Sequence, residues 1–118
     1  MTAEIVLYCN SELVTGLIKK NGIFRITNFK PERYTINFND DYSEVKGLDK
    51  MGDSWQCRDA YYNKKYSTVI CSGPYNNGQS FTYHKDTNRF LSVDATVFGF
   101  IDRGNDTNGM TAGICKKF

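Results

Sequence analysis

Apolar and polar side chains alternate along most of this chain with a period of two. Ile5, Leu7 and Cys9 interleave with Val6 and Tyr8, so the first segment is largely apolar on both faces. Leu13–Lys19 and Ile23–Phe29 flank Lys20-Asn21-Gly22. Asn-Gly is the strongest short hairpin signal, because a type I′ turn needs positive φ at both central residues. Pro31 then breaks the run. Arg33–Asn39 alternates cleanly, with Tyr34, Ile36 and Phe38 on one face and Arg33, Thr35 and Asn37 on the other. Asn39-Asp40-Asp41 reads as a turn, and Tyr42–Leu48 as a short partner strand.

The second half repeats the pattern. Ser54–Arg58 and Tyr66–Ser72 read as strands around the polar tip Asp59-Ala60-Tyr61-Tyr62-Asn63-Lys64-Lys65. Ser80–Lys85 and Arg89–Val93 form a hairpin over Asp86-Thr87-Asn88. Thr96–Asp102 follows, then a loop over Arg103–Gly109 and a last strand over Thr111–Lys116. Helical periodicity is nowhere sustained for the ~11 residues an amphipathic helix requires. Nine or ten short strands separated by turns predict a compact antiparallel all-β sandwich or small barrel. No repeat, low-complexity tract or linker divides the chain, so residues 1–118 are expected to form a single β domain.

Composition narrows this picture. Aromatic residues make up 14% of the 118, with eight Tyr and eight Phe, which favours strands over helices. A net charge of +2 is too small for the concentrated basic face that nucleic-acid binding needs. No apolar run approaches the ~20 residues that span a membrane as a helix. Met1-Thr2-Ala3-Glu4 has neither a basic n-region nor an apolar h-region, so the chain is expected to be either cytosolic or an exported form whose signal has been removed.

The four cysteines, Cys9, Cys57, Cys71 and Cys115, contain no CxxC pair, and the sole histidine, His84, has no metal-ligand spacing to them. Zinc is not expected, nor any cofactor. An even count in a small aromatic β-protein fits two disulfides in an oxidising compartment, in preference to four buried thiols. Three connectivities are open. Cys57 and Cys71 lie in strands that a hairpin places side by side. Cys9 and Cys115 lie in the first and last strands, which closure of the sheet brings together. The expected pairs are therefore Cys57–Cys71 and Cys9–Cys115.

Several segments together carry a resemblance: "YCNSELVTGLIKKNGIFRITNFKPERYTINF", "VICSG", "QSFTYHKDTNRFL", "GFID" and the closing "AGICKKF". The pattern is a leading Cys, an aromatic-Lys-Pro stretch before a strand, Cys-Ser-Gly, an aromatic hairpin ending in Arg-Phe, and a terminal Gly-x-Cys. It resembles a group of small exported proteobacterial proteins of unknown function. The resemblance implies export, to the periplasm or outside the cell, and a disulfide-bearing β-fold. It brings no catalytic residues.

Candidate chemistry is sparse. Ser72 and Ser80 could serve as nucleophiles and His84 as a base, but a nucleophile needs its base within hydrogen-bond reach. The context Cys71-Ser72-Gly73-Pro74 is not the G-x-S-x-G elbow, and His84 reads as a surface residue. Asp40, Asp41, Glu44 and Asp53 cluster between strands and offer a carboxylate pair for a small hydrolase. "DRGNDTNG", Asp102–Gly109, is rich in oxygen ligands. With Gly109 at the sixth position of an EF-hand loop, however, Gly104 and Cys115 fall where acids belong.

"RDAYYNKKY" is the richest binding stretch, with Arg58, Tyr61, Tyr62, Lys64, Lys65 and Tyr66 sharing one loop region. Tyr and Arg combine contact area with a hydrogen-bonding handle, and paired lysines favour an acidic protein or an anionic glycan or phosphate. Ser72, Gly73 and Tyr75 form a second candidate loop, continuing to Asn77. Its Ser-Gly-Pro-Tyr places the tyrosine three residues after the serine. The S-G-x-x-Y loop of periplasmic inhibitors of c-type lysozyme, on a small β-barrel, has four. The expected function is thus non-enzymatic binding of a protein partner or anionic envelope component by an exported protein. The alternatives are an inhibitor or immunity protein against a cell-wall-degrading enzyme, and a small hydrolase using surface carboxylates.

Overall fold

A computed structural model describes residues 4–49, 52–75, 78–94 and 106–117. They contain no α-helix, so no helix among them is long and apolar enough to cross a membrane. The strands are β1 (Glu4–Lys20), β2 (Ile23–Asn28), β3 (Arg33–Asn39), β4 (Glu44–Lys46), β5 (Trp55–Asp59), β6 (Thr68–Ser72), β7 (Gln79–His84), β8 (Arg89–Asp94) and β9 (Asp106–Lys117). All pair antiparallel in the order β2-β1-β3-β4-β5-β6-β7-β8-β9, and β9 returns to β1. Eight strands therefore close into a barrel, and β2 is added alongside β1 beyond it.

The two segments expected as separate strands, Ile5–Cys9 and Leu13–Lys19, are one continuous strand. Its irregularity is a bulge: Ser11 faces Gly113 and Leu13 faces Ala112, leaving Glu12 as the extra residue. A bulge of one residue reverses the side-chain parity. Leu7, Cys9 and Ser11 are buried, whereas Leu13 and Leu17 stand exposed. Past the bulge β1 runs on with β2 on one side and the start of β9 on the other. This three-stranded arm stretches the molecule to 50 × 27 × 26 Å. Its hairpin turns at Asn21 (φ 52°) and Gly22 (φ 77°), the positive pair that a type I′ turn requires.

Other boundaries shift. The strand expected over Tyr42–Leu48 shrinks to Glu44–Lys46, since Tyr42 takes a positive φ of 58° in the turn. The last strand begins at Asp106 rather than Thr111, because Asp106–Gly109 pairs with Lys19–Gly16 of β1. Part of the expected acidic loop is thus ladder, while Asp102–Asn105 and the expected strand Thr96–Asp102 lie outside the described residues.

Inward side chains fill the barrel, as an eight-strand closure allows. Phe38 packs 5.4 Å from Tyr83 and Phe81 the same distance from Phe90, centroid to centroid. The Tyr83 hydroxyl, buried with its ring, donates to Asn88 Oδ1 at 2.5 Å. Both expected disulfides are present, Cys9–Cys115 and Cys57–Cys71, each between residues directly opposite in neighbouring strands. One staples the β5–β6 hairpin and the other locks the seam where the last strand meets the first. Disulfides of this kind fit an oxidising compartment.

Candidate functional site

The β5–β6 connection stands at the pole of the barrel away from the arm. Ala60, buried beneath it, anchors two successive 3-10 turns, Ala60–Tyr62 and Lys64–Tyr66. Asn63 joins them: its backbone N–H donates to the Ala60 carbonyl at 3.2 Å, and its side-chain oxygen accepts from the Lys65 N–H at 3.0 Å. The Ser67 N–H closes the second turn on the Lys64 carbonyl at 3.1 Å.

Tyr61 and Tyr62 hold φ of 56° and 55°, in the left-handed region. Each such residue with a Cβ costs about 1–2 kcal/mol, and bulky aromatics are uncommon there. The result is a pair of rings held out in solvent, 84% and 86% exposed. The Tyr61 ring lies 5.2 Å from that of Tyr66, and Lys65 Nζ sits 5.1 Å from the Tyr66 centroid. Aromatic and cationic groups here pack against one another.

The register adds two residues that the sequence reading missed. Thr68 pairs with His84, which brings the β7–β8 turn beside the tip, and the Lys85 N–H donates to the Ser67 carbonyl at 2.7 Å. Lys85 Nζ lies 5.1 Å over the ring of Tyr42, which has its own place at this pole in the β3–β4 turn. Nothing in the local spacing joins Tyr42 and Lys85 to the tip; only the strand order does. Arg58 sits lower, exposed on the outer wall of β5 opposite Ile70.

The second candidate loop does not join this surface. Ser72 ends β6, at the opposite end of the strand from Thr68, so the loop after it belongs to the arm pole. Gly73 is buried and its N–H donates to the Gln79 carbonyl at 3.1 Å. Tyr75 is exposed, and its hydroxyl donates to Asp53 Oδ2 at 3.0 Å. That hydrogen bond, reinforced by the charge on Asp53, raises the Tyr75 phenol above its ordinary value. Asn76 and Asn77 lie outside the described residues. The tip and this loop therefore form two surfaces, on opposite poles.

The hydrolytic candidates are also apart. Ser72 and Ser80 face one another across β6 and β7, but His84 lies four residues along β7. At ~3.3 Å per residue that is about 13 Å, far beyond the ~3 Å reach of a general base. His84 Nδ1 instead accepts the Thr87 N–H at 3.2 Å and closes the β7–β8 turn. Asp41 accepts both the hydroxyl and the N–H of Ser43, at 2.6 and 3.0 Å, which hold its carboxyl below the usual range. Asp40, Asp41 and Glu44 belong to the tip pole, Asp53 to the arm pole, so the four carboxylates do not converge. Among the described residues no group of three or more His, Cys, Asp or Glu is arranged to hold a metal ion.

The chain matches no protein-family model, no curated protein and no solved structure.

Proposed function

We propose that this is a non-enzymatic binding protein of the periplasm or extracellular space, and that the tyrosine–lysine tip is its recognition surface. The observation that carries the reading is the pair of left-handed tyrosines, Tyr61 and Tyr62, exposed beside Lys64 and Lys65. Strained backbone persists where surrounding structure over-determines it, and such positions cluster at ligand clamps. Rigid, exposed tyrosines supply contact area at low entropic cost, while the lysines and Lys85 favour a partner that is acidic or carries anionic groups. The family resemblance and the two disulfides support the exported setting.

A pull-down from envelope extract identifies the partner, and surface plasmon resonance at two salt concentrations tests the tip. Tyr61→Ala or Tyr62→Ala should weaken binding by about 2 kcal/mol, roughly thirtyfold. Replacing Lys64 and Lys65 by Ser should mainly slow association and flatten its salt dependence, since exposed charges steer encounters more than they hold complexes. Wild-type kinetics in all these variants would move the binding face elsewhere.

A further inference from the structure

The bulge at Glu12 turns an apolar row of β1 outward, and neighbouring strands continue it. Register places Ile26 of β2, Leu17 of β1 and Asn108 of β9 in one row. Thr15, Met110 and Val93 form the next, and Leu13, Ala112 and Leu91 the one after. Ile26 is 83% exposed, and Leu13, Leu17, Leu91 and Met110 all stand in solvent. This is a mostly apolar face across β2-β1-β9-β8, interrupted by Thr15 and Asn108, about 15 Å across the strands and ~13 Å between its outer rows from strand spacing and rise. Exposed apolar patches of a few hundred Å² are often functional.

We infer that this face is the interface of a twofold dimer, in which a second copy of the chain packs sheet against sheet. The argument for that occupant is the pattern along β1 itself. Its outward side reads Glu12, Leu13, Thr15, Leu17, Lys19, which is symmetric in apolar residues about Thr15 and opposite in charge at its ends. Glu12 faces outward, since its carboxylate lies 3.3 Å from the exposed Arg89 guanidinium. A twofold axis running across the strands at Thr15 lays one β1 antiparallel over the other. It packs Leu13 on the second copy's Leu17, brings Met110 against Met110, and sets Glu12 against Lys19 at both ends. A closed isologous contact requires such self-complementarity. Sheets stacked this way bury on the order of 1,000 Å² in total, the low end for specific association.

The interface uses no tip residue, so it stands or falls separately from the binding role. Antiparallel packing sends the two tips to opposite ends of the dimer, giving a bivalent binder.

Sedimentation equilibrium over ~1–300 μM, a range in which even weak self-association shows, tests the inference. The mass should rise from 13.5 kDa towards twice that value and stop there. Leu13→Lys and Leu17→Lys, both exposed, should weaken association at least tenfold with an unchanged circular dichroism spectrum. Leu13 lies one strand in from the open edge of β2, so pairing of β2 edges would survive Leu13→Lys and face packing would not. Glu12→Lys and Lys19→Glu should each weaken the dimer several-fold, and the double variant should restore it. A monomer at every concentration overturns the inference, as does growth past the dimer or a dimer indifferent to Leu13→Lys. Failure of the double charge variant to restore association overturns the antiparallel register.

Discussion

Tyr62 concentrates the conflict between what a residue prefers and what its position demands. Its φ of 55° places a Cβ where the following carbonyl crowds it, a cost that glycine escapes. Comparing two small replacements isolates the backbone term, because both remove the ring. Tyr62→Gly should be more stable than Tyr62→Ala by about 1 kcal/mol in urea unfolding. Equal stabilities would show that the turn relaxes out of the left-handed region once the ring is gone. His84 offers the contrasting case, a residue with catalytic potential whose ring nitrogen is taken up by the Thr87 N–H.

At the level of elements, the disulfides join strands that differ greatly in how far apart they lie along the chain. Cys57 and Cys71 are 14 residues apart within one hairpin, whereas Cys9 and Cys115 are 106 apart across the seam. A cross-link that restricts a longer unfolded loop stabilises more, about 3 kcal/mol for the short loop against ~4–5 for the long. Removing Cys9–Cys115 as a double alanine variant should therefore cost about 1–2 kcal/mol more than removing Cys57–Cys71. Denaturant midpoints of the two variants, with slopes compared, decide it. The opposite order would mean that native packing around the hairpin staple outweighs chain entropy. The β1–β2 hairpin shows the other extreme: Asn21-Gly22 turns it within two residues, and contacts along β1 and β9 carry the rest.

Across the whole molecule, a core rich in phenols makes stability depend on alkaline pH. Burial pushes the Tyr83 phenol up to about 12, with Tyr42 adding to it. Burial likewise raises Tyr42, and at Tyr34 burial is joined by the charge on Glu32. In the unfolded chain these groups titrate near 10. Between about pH 10 and 12 the native state then holds protons that the unfolded state has released, so stability falls as pH rises. Their contribution is complete below pH 10 and disappears as pH climbs through the native values. Urea midpoints from about pH 8 to 12 should fall steeply above 10, with part of the tyrosinate absorbance appearing only on unfolding. A flat midpoint through that range would show that the buried phenols ionise in place.

The sequence by itself determined most of the strand positions, the Asn-Gly hairpin, the all-β class and the two disulfide pairs. The Cys9–Cys115 pair followed from supposing that first and last strands close the sheet. The strands, the hairpin and the class depend on short-range chemistry, alternation of side chains and a turn that needs positive φ. The tyrosine–lysine cluster was legible for the same reason, since Tyr61 to Tyr66 are neighbours along the chain. What only the tertiary structure decided depends on register. The Glu12 bulge, which hides no special residue type, reverses the parity of β1 and turns Leu13 and Leu17 from core to surface. Strand order put Lys85 and Tyr42 beside the tip and sent Ser72, Gly73 and Tyr75 to the far pole. The separation of Ser80 from His84, by contrast, was already legible, because two residues on one strand stay apart by its rise however the sheet closes. A period of two tells which residues share a face, while the pairing of distant strands, set by closure of the barrel, tells which of them meet.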